Sequence, residues 1–308
     1  MTIIDDVTDR ARGALLGLAV GDALGAPVEF CQRGRFEPLT GLRTGGKFQM
    51  RLGEWTDDTA MALCLADSLL VCEGFDPLDQ MERYWRWGNE GYNSTRDRAF
   101  GVGKTVAKAM ARFLKTKDPF SGSSDPRSAG NGSIMRLAPV VMFYLNDRER
   151  AMHFAGESSR TTHQATEAIE ACQLLAHTLL TCIHRRTDKP HLFDGLDCEL
   201  TSPALQALIE RQYMAKPESD IRGSGYVVES LEAALWAFET TDSFEQAVLA
   251  AANLGDDSDT TAAVCGQIAG AYYGYSAIPD AWLQALFEHE RLLHTADSLI
   301  QKGLTLHE

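Results

Sequence analysis

The stretch NLGDDSDTTAAVCGQIA, residues 253–269, places a dense polar cluster directly before an apolar run. Three carboxylates and three hydroxyls fall within the six positions from Asp256 to Thr261. Like charges this close repel and raise each other's pKa values unless a cation lies among them. The small residues from Ala262 onward predict a buried helix, whose N-terminus favours acids. A single Asp or Ser would be enough to cap that helix, so the density of acids indicates a metal site.

A second acidic cluster, GEWTDDT at residues 53–59, lies about two hundred residues earlier and has the same local design. Thr56 is expected to be the N-cap of a helix, with Asp57 and Asp58 in its first turn. Taken alone, a well-capped helix with dipole contacts of about 0.3–1 kcal/mol each explains it equally well. Two such clusters together favour Mg²⁺ or Mn²⁺, which prefer oxygen ligands, whereas zinc would favour Cys or His.

The composition is that of an ordinary globular protein. Hydrophobic residues make up 44% and charged residues 23% of the 308 positions. No apolar run approaches the roughly 18 residues that span a bilayer. The net charge of −14 argues against broad nucleic-acid binding, which needs a basic surface, but it leaves room for an anionic small ligand.

The N-terminal segment and the cysteines both predict a cytoplasmic protein. The first ten residues, MTIIDDVTDR, lack the basic and then apolar pattern of a signal peptide. The seven cysteines are scattered and include no CxxC pair, which is typical of reduced thiols. We assign no catalytic role to any of them.

Helical periodicity dominates the chain and strand patterns are almost absent, which predicts an all-α protein. A helix from Arg10 is expected to end in the breaker-rich turn at residues 21–27. Residues 32–54 are expected to form a long irregular loop, and residues 280–298 a single helix. Without repeats or a clear linker, the economical prediction is one domain over residues 1–308.

A glycine-rich turn at residues 129–136, AGNGSIMR, leads into another predicted helix. Glycines beside a helix N-terminus expose backbone N–H groups that suit a phosphate. By itself this pattern is weak, because a plain turn explains it more often.

Several motifs, taken in order, make the chain resemble the ADP-ribosylglycohydrolase family from about Arg10 to Leu286. The paired Thr-Asp-Asp and Asp-x-Asp-Thr elements are the most specific of them. The motifs are RGALLGLAVGDALGAPVEF (12–30), WTDDTAMAL (55–63), GNGSIMRLAPV (130–140), RTTHQATEA (160–168), GSGYVVESLEAALWAF (223–238) and NLGDDSDTTAAVCGQIAGAYYG (253–274).

The resemblance implies a compact orthogonal helical bundle with a binuclear centre of Mg²⁺ or Mn²⁺ at the bottom of a cleft. It implies hydrolysis of the bond between the ribose anomeric carbon of ADP-ribose and a protein side chain, most simply arginine, with ADP-ribose as product. Asp256 stands where the family usually has glycine, so it is expected to be an additional charge. The implied ligands are Thr56, Asp57, Asp58, Asp257, Asp259 and Thr260.

The resemblance also implies the residues that act on the substrate. Glu29 or Asp58 would be the general base, and residues 130–133 would hold the diphosphate and ribose: Gly130, Asn131, Gly132 and Ser133. His163 would line the ribose side of the cleft, and Tyr226 would lie along the ADP moiety. Each has a plainer alternative: a solvated loop acid for Glu29, a helix cap for His163 and a core aromatic for Tyr226.

One departure from the family pattern bears on the substrate. Arginine-directed members tend to carry an aspartate in a Phe-Asp-x-Gly segment, where this chain has Gly101. Asp97 is a candidate substitute from the same loop. ADP-ribosyl-serine, O-acetyl-ADP-ribose and other nucleotide esters therefore stay open as substrates. A non-catalytic member is disfavoured because all six candidate ligands are present, and a monomer is the expected state.

Overall fold

The computed structural model describes residues 3–185 and 188–305, and this part of the chain contains thirteen α-helices and no β-strand. The all-α prediction is confirmed. The helices are α1 (Ile3–Gly25), α2 (Asp57–Cys72), α3 (Pro77–Glu90), α4 (Lys104–Thr116), α5 (Ala138–Phe143), α6 (Arg148–Arg160), α7 (Thr166–Arg185), α8 (Pro203–Ile209), α9 (Val227–Glu239), α10 (Phe244–Ala252), α11 (Ser258–Tyr273), α12 (Asp280–Ala285) and α13 (His289–Thr305).

The two helices at the centre, α1 and α11, form the most extensive helix pair of the fold. Their backbones meet at glycines spaced four residues apart on α1. A β-carbon at Gly17 would overlap the carbonyl oxygen of Gly266, and one at Gly21 would overlap that of Ala262. Small residues at every fourth position share one helix face, so they allow this close approach.

The prediction that α1 ends in a turn at residues 21–27 is wrong. Helix α1 continues through Gly21 and Asp22 and ends at Gly25. Glycine weakens an isolated helix by about 1 kcal/mol relative to alanine, yet here the contact with α11 requires it. Tertiary packing has therefore overridden the local preference, and Asp22 comes to lie in the protein interior.

The prediction that residues 280–298 form a single helix is also wrong. The segment is interrupted between α12 and α13, where Glu288 adopts a φ of 53°. The backbone N–H of Phe287 donates to the carbonyl oxygen of Gly53 at 2.9 Å, and the Trp55 indole donates to that of Phe287 at 3.0 Å. The interruption thus fastens the segment that immediately precedes Thr56.

Residues 29–32 pair with residues 254–256 to bring two distant loops together. The N–H of Phe30 donates to Asp256 at 2.7 Å, the N–H of Asp256 donates to Cys31 at 2.8 Å, and Gln32 forms a bridge with Gly255. Asp256 has a φ of 56°, a region that favours glycine. Within the described ranges, no helix has both the length and the apolar character needed to cross a membrane.

Candidate metal centre

The two acidic clusters come together at the N-termini of α2 and α11. Thr56 is the N-cap of α2, with Asp57 and Asp58 in its first turn, as the sequence predicted. Asp257 is the N-cap of α11, and Asp259 lies in its first turn. Neither cap side chain accepts a hydrogen bond from a backbone N–H of its own helix, so neither is used as an ordinary cap.

Two carboxylate trios lie at this junction, and Asp259 belongs to both. In the first trio, oxygens of Asp22, Asp58 and Asp259 lie within 4.8 Å of one another. In the second, oxygens of Glu29, Asp257 and Asp259 do so. Such spacing suits oxygen coordination of a divalent cation, and a shared carboxylate is able to bridge two ions.

Two buried oxygens without a hydrogen-bond partner also indicate that these side chains fit a cation. Oε2 of Glu29 and Oδ1 of Asp58 are buried and have no hydrogen-bond partner. An unpaired buried polar group costs about 1–3 kcal/mol, and more when it is charged. A metal ion supplies the partner that the protein does not, so residues Glu29 and Asp58 fit the expected cofactor.

Asp22 is a functional residue that the sequence analysis missed. Its carboxylate accepts hydrogen bonds from the N–H and hydroxyl groups of Thr56, at 2.9 and 2.8 Å, and of Thr59, at 3.0 and 2.6 Å. These donors occupy most of its lone pairs. Asp22 therefore caps α2 from another helix and directs the Thr56 hydroxyl, while it remains one of the three carboxylates of the first trio. It is the one charged residue between Gly13 and Val28, which is the clue the sequence contained.

Burial and mutual repulsion raise the pKa values of these acids. The pKa of Glu29 rises to about 8, through burial and then the charge of Asp257. That of Asp22 rises to about 6, because burial outweighs its hydrogen bonds. Burial, followed by neighbouring carboxylates, also raises the pKa values of Asp57, Asp58 and Asp259 well above their usual range. The cluster thus favours either protons or cations.

A cavity of about 960 Å³ opens above the acids. Its size is within the range of small-molecule sites, about 300–1,000 Å³. Gly130, Asn131 and Gly132 line it, and so do residues 101–106, which lead into α4. The lining also includes the acidic and hydroxyl side chains of Glu29, Asp57, Asp256, Asp257, Asp259 and Thr260.

The glycine loop contacts the acidic cluster through the side chain of Asn131. The Asn131 amide donates to Oδ2 of Asp257 at 2.8 Å and to Ser230 at 3.2 Å, so this side chain orients a candidate ligand. In the described chain, the backbone N–H groups of Gly132 and Ser133 have no acceptor, which suits an anion. The Ser133 side chain is fully buried and is not among the cavity-lining residues.

His163 and Tyr226 both lie next to that loop. His163 is buried, and its ring packs under Gly130 and Gly132 and lines the cavity. Tyr226 is 37% exposed and donates to Glu167 at 2.7 Å. It lines a neighbouring groove of about 610 Å³, which shares Gly130 with the main cavity. The groove thus adjoins the cavity at the glycine loop.

The sequence of this chain matches the family profile described as ADP-ribosylglycohydrolase over residues 4–306. The chain belongs to the ADP-ribosylglycohydrolase family. The expectation from the motifs is thereby confirmed, and the protein is a glycohydrolase enzyme.

Relatives of this glycohydrolase support that assignment. An ADP-ribosylarginine hydrolase, Tri1, from Serratia proteamaculans is 40% identical over 94% of this chain and 79% of the relative. The ADP-ribosyl-[dinitrogen reductase] glycohydrolase of Rhodospirillum rubrum is 32% identical over 91% of each chain. A solved structure described as an ADP-ribosylglycohydrolase-related protein complex aligns with a TM-score of 0.85 and 42% identity, covering 97% of this chain and 99% of the other.

In this glycohydrolase, Gly101 has a structural reason to be glycine. Its φ is 77°, and a β-carbon there would overlap Oδ1 of Asp57. An aspartate at this position would need a different loop conformation. Asp97 is exposed and is not among the cavity-lining residues, so it does not replace the missing acid in this structure.

The raised pKa values predict how the stability of the glycohydrolase depends on pH. In the folded protein, Asp22 and Glu29 have pKa values of about 6 and 8, above their ordinary 3.8 and 4.5. Their contribution to stability is complete below pH 4 and is lost as the pH rises through 6 to 8. Metal-free protein is expected to lose roughly 5 kcal/mol of unfolding free energy between pH 5 and 8.

Saturating Mg²⁺ is expected to remove most of that loss, because the cation replaces the protons among the carboxylates. Urea denaturation across this pH range, with chelator and with Mg²⁺, measures both slopes. Equal slopes in the two conditions would contradict a metal role for these acids.

Proposed function

We propose that this enzyme hydrolyses the bond between the ribose anomeric carbon of ADP-ribose and an arginine side chain. The observation that carries the proposal is the pair of carboxylate trios sharing Asp259 at the floor of a nucleotide-sized cavity. The similarity to ADP-ribosylarginine hydrolases at 40% identity favours arginine among the linkages.

We assign two divalent ions, Mg²⁺ or Mn²⁺, to this centre. The proposed ligands are the six positions expected from the sequence, together with the unpartnered oxygen of Glu29. When bound, the ions would offset the carboxylate charge and lower the pKa of a coordinated water. Asp22 orients the Thr56 hydroxyl, and Asn131 holds Asp257. The supporting residues thereby fix the ligands before substrate arrives.

Glu29 is the better candidate for general base. It lines the cavity, whereas Asp58 is 1% exposed and is not among the lining residues. In the proposed step, a water oxygen bonds to the anomeric carbon while the carbon–nitrogen bond breaks, through an oxocarbenium-like transition state. The Glu29 carboxylate takes the water proton, and the electron pair leaves with the guanidino group, which is then protonated.

The remainder of ADP-ribose is proposed to lie along the glycine loop. The backbone N–H of Gly132, a cavity-lining residue, has no acceptor in the described chain and suits the diphosphate. His163 is placed for the ribose, and Tyr226, in the adjoining groove, for the adenosine end. These uncharged groups would give an anionic ligand local hydrogen-bond donors in a protein whose net charge is −14.

The state and location of the enzyme complete the proposal. We expect a monomer and a single domain, since one chain supplies every acid of the cluster. The substrate is an ADP-ribosylated protein, and nucleic acid has no part in it. A cytoplasmic location is supported by seven cysteines that are all free thiols.

A panel of substrates tests the linkage. With Mg²⁺, ADP-ribosyl-arginine peptide is expected to turn over at least about tenfold faster than ADP-ribosyl-serine peptide or O-acetyl-ADP-ribose, in line with the similarity to ADP-ribosylarginine hydrolases. Released ADP-ribose is the measured product, and a simple phosphoester is the negative control. Preference for serine would point to the glycine at position 101 as the determinant and would overturn the arginine assignment.

A further inference from the structure

A buried cation without a carboxylate partner lies behind the glycine loop. Arg136 is fully buried, and no salt bridge to it is found in the described chain. Its guanidinium donates to the carbonyl of Ser158 at 3.2 Å and to the hydroxyls of Thr161 and Thr162 at 3.4 and 2.8 Å. It also lies 4.6 Å from the centre of the Tyr84 ring. Every oxygen around this charge is therefore an acceptor, which forces the hydroxyl hydrogens to point elsewhere.

The orientation of the Thr162 hydroxyl in turn determines which ring nitrogen of His163 carries the proton. Its oxygen accepts from Arg136, and among the described residues its own hydrogen has one neighbouring acceptor, Nδ1 of His163 at 2.9 Å. If Nδ1 carried a proton, the fully buried Thr162 hydrogen would have no acceptor, at a cost of about 1–3 kcal/mol. Nδ1 is therefore the bare nitrogen of the ring.

The proton of the imidazole then lies on Nε2, which faces the glycine loop. A β-carbon at Gly130 would lie 3.2 Å from Nε2, and one at Gly132 would lie 2.6 Å from Cε1. In the described chain Nε2 has no protein partner, and the residue lines the cavity. Burial, with a smaller contribution from Arg136, lowers the pKa of His163 to about 3, so the ring is neutral at working pH.

We infer that Arg136, acting through Thr162, fixes His163 in the Nε2–H tautomer, so that its N–H donates to a phosphate or ribose oxygen of bound ADP-ribose. The inference rests on the proposed function for the identity of the acceptor. Arg136 and Thr162 are positioning residues, since neither is among the residues lining the cavity. A neutral donor of fixed direction binds an oxygen without the rotation that a free imidazole would have to lose.

The tautomer is measured directly by ¹⁵N NMR of the metal-loaded protein at pH 7, because protonated and bare ring nitrogens resonate far apart. Loss of a signal in His163→Gln assigns the residue. The wild type is expected to show a protonated Nε2 and a bare Nδ1. In Thr162→Val, which keeps the shape but removes the hydroxyl, we expect a mixture of tautomers and a Kd for ADP-ribose about three- to tenfold weaker.

Two comparisons separate positioning from general destabilisation. Thr162→Ser retains the hydroxyl and is expected to restore both the tautomer and the Kd. Thr178→Val removes another buried hydroxyl, one that bonds Leu174 in α7, and is expected to change neither. The affinity for Mg²⁺ is expected to be unchanged in Thr162→Val.

The outcomes are distinct. A protonated Nδ1 in the wild type, or a weaker Kd in Thr162→Val with an unchanged tautomer, would overturn the inference. The wild-type spectrum decides the first point even if the valine variant does not fold. If wild-type protein does not bind ADP-ribose at all, the proposed function fails, while the spectrum still decides whether Arg136 and Thr162 fix the ring.

Discussion

Asp58→Asn is expected to reduce the rate of ADP-ribose release by about a hundredfold or more. The substitution removes the charge from a carboxylate with a buried, unpartnered oxygen in the first trio. A catalytic metal contributes several kcal/mol of transition-state stabilisation, and about 1.4 kcal/mol corresponds to a factor of ten. Asp257→Asn is expected to act similarly on the second trio. Release of ADP-ribose from ADP-ribosyl-arginine peptide in excess Mg²⁺ and Mn²⁺ measures both.

The matched control is Asp97→Asn, which makes the same chemical change at an exposed position away from the cavity. Its turnover should equal that of the wild type. Asp58→Asn should keep its far-ultraviolet circular dichroism and be no less stable in chelator, because it removes a buried charge from a repulsive cluster. Normal turnover of Asp58→Asn with added metal would disprove the assignment of the centre.

Asp22→Ala is expected to destabilise the protein by about 3 kcal/mol and to weaken Mg²⁺ binding by about ten- to a hundredfold. It leaves the buried N–H and hydroxyl groups of Thr56 and Thr59 without their acceptor. Part of that cost is offset, because the ionised Asp22 carboxylate is itself disfavoured by burial. Urea denaturation in chelator gives the first quantity, and calorimetric titration with Mg²⁺ gives the second.

Asp76→Ala provides the comparison for Asp22→Ala. Asp76 caps α3 from its own chain position, accepting from Leu78 and Asp79 at 2.9 and 3.0 Å near the surface. Losing such a cap costs about 1 kcal/mol, and no effect on Mg²⁺ binding is expected. If Asp22→Ala costs no more than Asp76→Ala and leaves metal affinity intact, Asp22 has no special role in supporting the centre.

The acidic clusters could be located from the sequence because their design is local. Each consists of a helix start with more carboxylates than a cap requires, and the structure places Thr56 and Asp257 at the caps. The helical character of the chain was equally accessible, since apolar periodicity persists over most of its length. These local patterns do not show which helix ends meet in the folded protein.

The features that were missed depend on contacts between distant segments. Helix α1 continues past Gly21 because α11 covers its glycine face, which no local propensity encodes. For that reason Asp22 looked like part of a turn when it is the acceptor for Thr56 and Thr59. The interruption before α13 likewise arises from the bond between Phe287 and Gly53.

Asn131 illustrates a further limit. A glycine-rich turn before a helix indicated phosphate binding, and the free N–H groups of the loop are compatible with that role. The amide side chain, however, bonds to Asp257, more than a hundred residues away. A motif identifies the loop in the sequence. The neighbours of each residue in the folded protein determine which of its groups faces the ligand.

The glycine crossing of α1 and α11 also constrains how such an enzyme diverges. Where a β-carbon at Gly17 or Gly21 would strike a carbonyl oxygen, no smaller neighbour could make room for it. Substitutions of these glycines are therefore not tolerated where α1, which carries Asp22, packs against α11, which carries Asp259. At the rim of the cavity the chain is less confined, since a β-carbon at Gly103 would meet no atom within 4 Å. Descendants would inherit the hydrolytic centre intact while acquiring new targets by exchanging the loops at its rim.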